Sequence, residues 1–222
     1  HDKGKSHSSG KLLYSARVIP QRGSWLDFEF DAKDVLYVRI DRRRKFHATI
    51  LLRALGYTED QLLKYFYQFE KLDLSDVKPG QDPDAQSYYI ILDEGIILDQ
   101  RLQLPIADPK TGEVLVNSGQ RINKRILKKL QKSKVKRLDV TLNEIKGRIL
   151  AQTIYKDGSK EELIPCNTPL TAELMTTLAE NNITEVELLH IGPQNIGSSL
   201  RDTLALDKLS SPEQSLIELY KK

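Results

Sequence analysis

Two stretches near the start of the chain alternate apolar and polar residues with a period of two. In 25–30, Leu26, Phe28 and Phe30 fall on one side and Trp25, Asp27 and Glu29 on the other; in 35–41, Leu36, Val38 and Ile40 oppose Tyr37, Arg39 and Asp41. That is the period of a strand with one buried face. The intervening Asp31-Ala32-Lys33-Asp34 reads as a turn, so the pattern predicts a β-hairpin. A mostly apolar run over 12–19 precedes it, closed by Pro20 and a turn at Arg22-Gly23-Ser24.

The period then becomes helical. One helix is predicted over 48–55 and ends at Gly56, a usual C-terminal stop. Thr58-Glu59-Asp60-Gln61 fits a capping box that opens a second helix through Leu62, Leu63 and Phe66. Residues 76–84, rich in Asp, Pro and Gly, read as a loop or boundary. Beyond it the apolar pattern repeats at an offset of 48: Leu115, Ile122, Leu130 and Leu138 match Leu163, Leu170, Leu178 and Val186. Each copy, about 98–145 and 146–192, reads strand, loop, helix, short strand. Two copies predict a pseudo-symmetric module, since a solenoid needs about three or more. Ser211-Pro212-Glu213-Gln214 caps a last helix that runs to Lys222 as if truncated.

Composition narrows the classes. The chain has 222 residues, 39% hydrophobic and 29% charged, enough to bury a core. No apolar run suits a membrane span, and the start is too polar for a signal peptide. Cys166 is the single cysteine, which excludes an internal disulfide and suits the reducing cytoplasm. The first residue is His1 rather than methionine, which predicts a fragment or a processed product. The net charge of +3 is unevenly placed: about +5 through Phe66, 0 from Gly197 onward and −2 between them. The basic character sits at the front.

Candidate chemistry follows the charge. Trp25, the only tryptophan, leaves the apolar register of its strand. It either covers a neighbouring element or offers a platform on which an unpaired base stacks, worth roughly 1–3 kcal/mol. Asp41-Arg42-Arg43-Arg44-Lys45 places four cations in a row that cannot all face a core. They are either dispersed charge at a strand end or phosphate contacts, to which arginine's planar fork is suited. The leading acid could orient an arginine or accept a base amino group. A second basic tract over 121–137 fills the spaces between Ile122, Ile126, Leu127 and Leu130, and reads as the wet face of an amphipathic helix. The four histidines lack metal spacing, Cys166 has no CxxC partner, and no phosphate-binding loop or nucleophile motif is present. No catalysis and no cofactor are expected within this chain.

The run Asp2-Lys3-Gly4-Lys5-Ser6-His7-Ser8-Ser9-Gly10-Lys11, then Arg17-Val18-Ile19-Pro20, then Arg22 through Asp31, then Arg39-Ile40-Asp41-Arg42-Arg43-Arg44-Lys45, resembles the lobe domain of the bacterial DNA-directed RNA polymerase beta subunit. The match is dense over 1–66 and looser over 200–220. Phe46-His47 departs from it, where relatives often have Leu-Pro. Residues 67–196 resemble the lineage-specific insertion carried inside that lobe. The resemblance implies an α+β fold: a discontinuous mixed lobe of hairpin sheet and helices, in 1–66 and 197–222, with an inserted α+β module. It implies a nucleotidyltransferase whose magnesium is held by another subunit. The implied partners are DNA and the beta-prime, alpha, omega and sigma subunits, with transcription regulators possible on the insertion. It also implies that Trp25 stacks on a non-template base, with Asp41, Arg42, Arg43 and Arg44 beside the same strand. The rival class is an interaction module that docks regulators through the insertion.

Overall fold

The computed structural model describes residues 2–102, 104–156, 159–191 and 197–221. The fold is mixed α+β, as the alternating and helical periods predict, and it divides into two compact units. Unit 1 joins His1–Tyr65 to Ile191–Lys222; unit 2 is Phe66–His190. The last insertion residue expected, 196, and the repeat end expected at 192 lie outside the described residues.

Unit 1 begins with five antiparallel strands in sequential order: β1 (Asp2–Ser6), β2 (Leu12–Val18), β3 (Leu26–Phe30), β4 (Leu36–Ile40) and β5 (Lys45–His47). The predicted hairpin is β3–β4, with Leu26 opposite Ile40 and Phe30 opposite Leu36. Its turn is tied by the Asp31 carboxylate, which accepts from the Lys33 and Val35 amides at 2.8 and 2.9 Å. Two strands are not evident in the sequence pattern. β1 has no apolar alternation, and β5 is only three residues long. Helices α1 (Ala48–Ala54) and α2 (Glu59–Phe66) follow. The capping box of α2 is reciprocal: Gln61 N–H donates to the Thr58 hydroxyl at 3.3 Å, and Thr58 N–H to the Gln61 side chain at 3.0 Å.

Unit 2 contains β6 (Gln68–Asp73), β7 (Tyr88–Ile91), α3 (Glu94–Ile97), β8 (Ile106–Ala107), β9 (Val114–Val116), α4 (Lys124–Lys132), β10 (Arg137–Val140), α5 (Leu142–Ile145), β11 (Ile154–Tyr155), β12 (Glu162–Ile164), α6 (Ala172–Glu180) and β13 (Glu185–His190). A four-stranded antiparallel sheet runs β10-β7-β6-β13, while β8–β9 and β11–β12 form separate two-stranded ladders. One core gathers Leu72, Tyr88, Leu150, Leu170, Met175, Leu178 and Val186, and another Ile97, Ile122, Leu130 and Leu138. The buried Glu70 accepts from Arg148 at 2.7 Å and faces His190 Nδ1 at 2.9 Å, so its charge has partners on two sides.

The chain returns to unit 1 with α7 (Ser199–Leu206) and α8 (Pro212–Tyr220). The apolar face of the sheet, with Val38 and Phe46 buried and Leu26, Phe28 and Leu36 partly so, packs with Ala48, Ile50, Leu209 and Leu219. Polar ties join the two segments of the unit. Leu36 N–H donates to the Thr203 hydroxyl at 2.9 Å, and the Thr49 hydroxyl to Asp207 at 2.8 Å. The same Asp207 carboxylate lies 3.4 Å from Arg53 Nε. With its apolar side covered, the sheet presents the opposite, polar face for other work.

Candidate nucleic-acid interface

The polar face of the unit 1 sheet is laid out by cross-strand pairing. Arg17 lies opposite Asp27, Asp27 opposite Arg39, and Arg39 opposite Lys45. Side chains on one face of adjacent strands are neighbours, and these neutralise one another. Arg17 pairs with Asp27, while Glu29 takes Arg39 at 3.3 Å and Lys45 at 3.5 Å. Lys45 Nζ also sits 3.8 Å from the Tyr37 ring centroid. The cations in the middle of the sheet are therefore held by carboxylates.

At the end of the sheet the arrangement changes. Asp41 N–H donates to the Trp25 carbonyl at 2.9 Å, and Trp25 N–H donates to the Asp41 carboxylate at 2.8 Å. The Ser24 hydroxyl, then the Trp25 amide, then the positive Arg43 hold the Asp41 carboxyl below the usual aspartate range. The acid that leads the basic run thus fastens the backbone of Trp25 and the hydroxyl of Ser24, and so fixes where the indole starts.

Trp25 is 38% exposed. Two guanidiniums stand over it, Arg17 and Arg42, each with Cζ at 5.4 Å from the ring centroid. Such contacts are attractive because the face of the ring carries the negative part of its quadrupole. Arg17 is also tied to Asp27, whereas Arg42 makes no ion pair among the described residues. The indole is thereby oriented without being enclosed.

Arg42 reaches the ring because of its backbone. Arg43 N–H bonds the Ile40 carbonyl at 3.0 Å, closing a two-residue turn in which Asp41 has φ 50° and Arg42 φ 60°. Positive φ at both central positions is what a type I′ hairpin turn requires, and glycine or asparagine normally fills it. A bulky arginine there is a local cost of the kind found at functional sites. Arg43 is exposed and makes no ion pair among the described residues. Arg44 is also exposed but donates to Glu218 of α8 at 2.8 Å, and lies 5.2 Å from the Phe46 ring centroid.

The structure therefore brings Trp25, Asp41 and Arg42 together and sets Arg43 free beside them, while Arg44 is turned toward α8. Two participants lie outside the set that the sequence pattern singles out, Ser24 and Arg17. Arg17 was detectable in principle, since aligning β2 against β3 places it opposite Asp27 and one step from Trp25. Among the described residues no group of His, Cys, Asp and Glu could hold a metal ion, and no helix is long and apolar enough to cross a membrane.

The site is thus an exposed aromatic beside arginines without ion pairs among the described residues, at the ends of the adjacent strands β3 and β4, and comparison with known proteins gives the family. The family described as RNA polymerase Rpb2, domain 2, matches residues 2–154, and the chain belongs to it. Over all 222 residues the chain is 44% identical to the DNA-directed RNA polymerase subunit beta of Desulfotalea psychrophila and 45% identical to that of Syntrophobacter fumaroxidans. It is 42% identical to that of Sorangium cellulosum. The chain spans about 16% of the length of the first two relatives and 15% of the third.

Proposed function

We propose that this chain is the lobe portion of a DNA-directed RNA polymerase beta subunit, in which Trp25 stacks on an unpaired base of the non-template strand. The observation that carries the reading is the exposed indole, anchored through its backbone by Asp41 and flanked by Arg42. Arg42 bears no carboxylate partner among the described residues, so it can leave the ring for a phosphate while a base takes its place. Arg43 contributes a second phosphate contact, and Arg44 a weaker one because Glu218 already holds it. Within the assembled enzyme these residues serve DNA binding, while nucleotide addition belongs to parts of the enzyme outside this chain.

The test is Trp25→Ala in assembled polymerase. Loss of about 1–3 kcal/mol of stacking shortens the open promoter complex lifetime by roughly 5- to 150-fold and leaves the nucleotide-addition rate intact. An unchanged lifetime rejects the reading.

The finer architecture belongs to the same proposal. Unit 1 is the lobe in two parts, and unit 2 is its insertion. Within unit 2, Ile106–Ala107, Val114–Val116, Lys124–Lys132 and Arg137–Val140 precede Ile154–Tyr155, Glu162–Ile164, Ala172–Glu180 and Glu185–His190 by 48 residues each at their starts, which supports descent from one duplicated unit. Its separate cores also support a role as a surface module that receives regulators. Deleting 67–196 then abolishes a regulator's effect while basal transcription persists.

A further inference from the structure

The charges of unit 2 are segregated. Residues 121–137 contain nine lysines and arginines and no acid, whereas the rest of 67–196 holds nineteen acids and eight cations. Of the nine, Arg121 pairs with Asp99, and Arg137 with Asp73 and Asp76. The other seven are Lys124, Arg125, Lys128, Lys129, Lys132, Lys134 and Lys136. All are exposed, and none forms an ion pair among the described residues.

This arrangement costs the helix stability. Its first turn carries no acid, and Lys124 and Arg125 lie at the positive end of the helix dipole. Lys124 and Lys128, Arg125 and Lys129, and Lys128 and Lys132 are like charges four apart, and each such pair destabilises the helix. A face that is merely solvated commonly relieves this with intervening glutamates, and here there are none. The helix is held despite its charge by Leu130, fully buried, by the partly buried Ile126 and Leu127, and by Asn123, whose side chain accepts from the Arg125 and Ile126 amides at 3.0 Å.

The chemistry of the face selects its occupant. Residues 121–137 include no aromatic side chain, and most of the free cations are lysines. Protein–protein interfaces are enriched in aromatics and depleted in lysine, so the face suits an array of phosphates better than an acidic protein. Lacking a stacking platform, it has nothing to offer unpaired bases. The nine residues of α4 span about 13 Å, over which duplex DNA presents roughly eight phosphate charges. We infer that the α4 face of unit 2 is a second nucleic-acid contact, one that takes the phosphate backbone of duplex DNA without reading its sequence.

The 222-residue chain is titrated with a fluorescently labelled, mixed-sequence DNA duplex at salt concentrations from about 50 to 200 mM. The variant is the combined Lys124→Ala, Lys128→Ala, Lys129→Ala and Lys132→Ala. Alanine is the best helix former, so α4 persists, and circular dichroism verifies it. The plot of log affinity against log salt becomes shallower by about three to four, near 0.9 for each phosphate no longer neutralised. The same four positions changed to arginine keep the wild-type slope. An unchanged slope in the alanine variant overturns the inference. So does a wild-type preference for a polyglutamate peptide over the duplex that the alanine variant lacks, which would make the partner an acidic protein.

Discussion

The turn of unit 1 and the helix α4 of unit 2 are both runs of cations, yet they are built in opposite ways. In the turn and the strands around it, nearly every charge has an assigned position: Arg17 is held by Asp27, Arg39 and Lys45 by Glu29, Arg44 by Glu218, and Arg42 by an aromatic ring. In α4 the cations form no ion pair among the described residues and differ little from one another. A carboxylate-trimmed site fixes direction, because its few free groups point where the scaffold sends them. An untrimmed face supplies field strength, which decays over a Debye length of about 8–10 Å and is sensitive to salt throughout. Basic composition alone therefore does not distinguish a positioned site from an attractive surface; the acids around it do.

The comparison breaks most readily at the support of α4. Leu130 is fully buried, and Leu130→Ala should cost about 2–5 kcal/mol by urea denaturation, loosening the face without touching a charge. A negligible loss would mean that the helix is not anchored through this residue. Next in size is Asn123→Ala, which removes the side chain capping two amides. It should cost about 1 kcal/mol and lower the midpoint of thermal unfolding. In unit 1 the sign reverses. Arg42→Gly relieves roughly 1–2 kcal/mol of left-handed strain against about 0.5–1 kcal/mol of added chain entropy, so it should stabilise the chain by up to about 1 kcal/mol while weakening single-stranded DNA binding. If stability and binding fall together, the turn geometry is not being imposed for function.

The smallest effect is the response to acid. Asp41 has its carboxyl depressed by Ser24 and the Trp25 amide, so the unfolded chain takes up the proton first as pH falls. The tie to Trp25 is fully present above the ordinary aspartate value of about 3.9 and is lost only as pH falls through the lower folded value. Trp25 fluorescence should stay constant from neutral pH to about 4 and shift below it. In Asp41→Asn that acid shift should vanish. A shift beginning near pH 6 would assign the transition to another group.

Local pattern carried the hairpin, α1, α2 and α8, because each rests on a period or cap contained within a few residues. It could not carry the sheet of unit 2, where β6 finds β13 more than a hundred residues away. β5 was obscured by its own composition, since Lys45-Phe46-His47 is too short to show alternation between a basic run and a helix. The residues of the turn were visible in the sequence, but their division of labour was not. That Asp41 holds a backbone amide, and that Arg44 turns toward Glu218, depends on pairing between β3 and β4 and on a helix contributed by the far end of the chain.

Strands β6 and β13 pair along their whole length, from Gln68 opposite His190 to Asp73 opposite Glu185. Paired residues in such a ladder stand only about 5 Å apart. The polypeptide thus enters and leaves unit 2 through one narrow doorway, and a short peptide could seal it if everything between were removed. Closing so small a gap costs little entropy. A unit whose first and last strands pair in this way can change in length between them while its two chain ends keep their spacing.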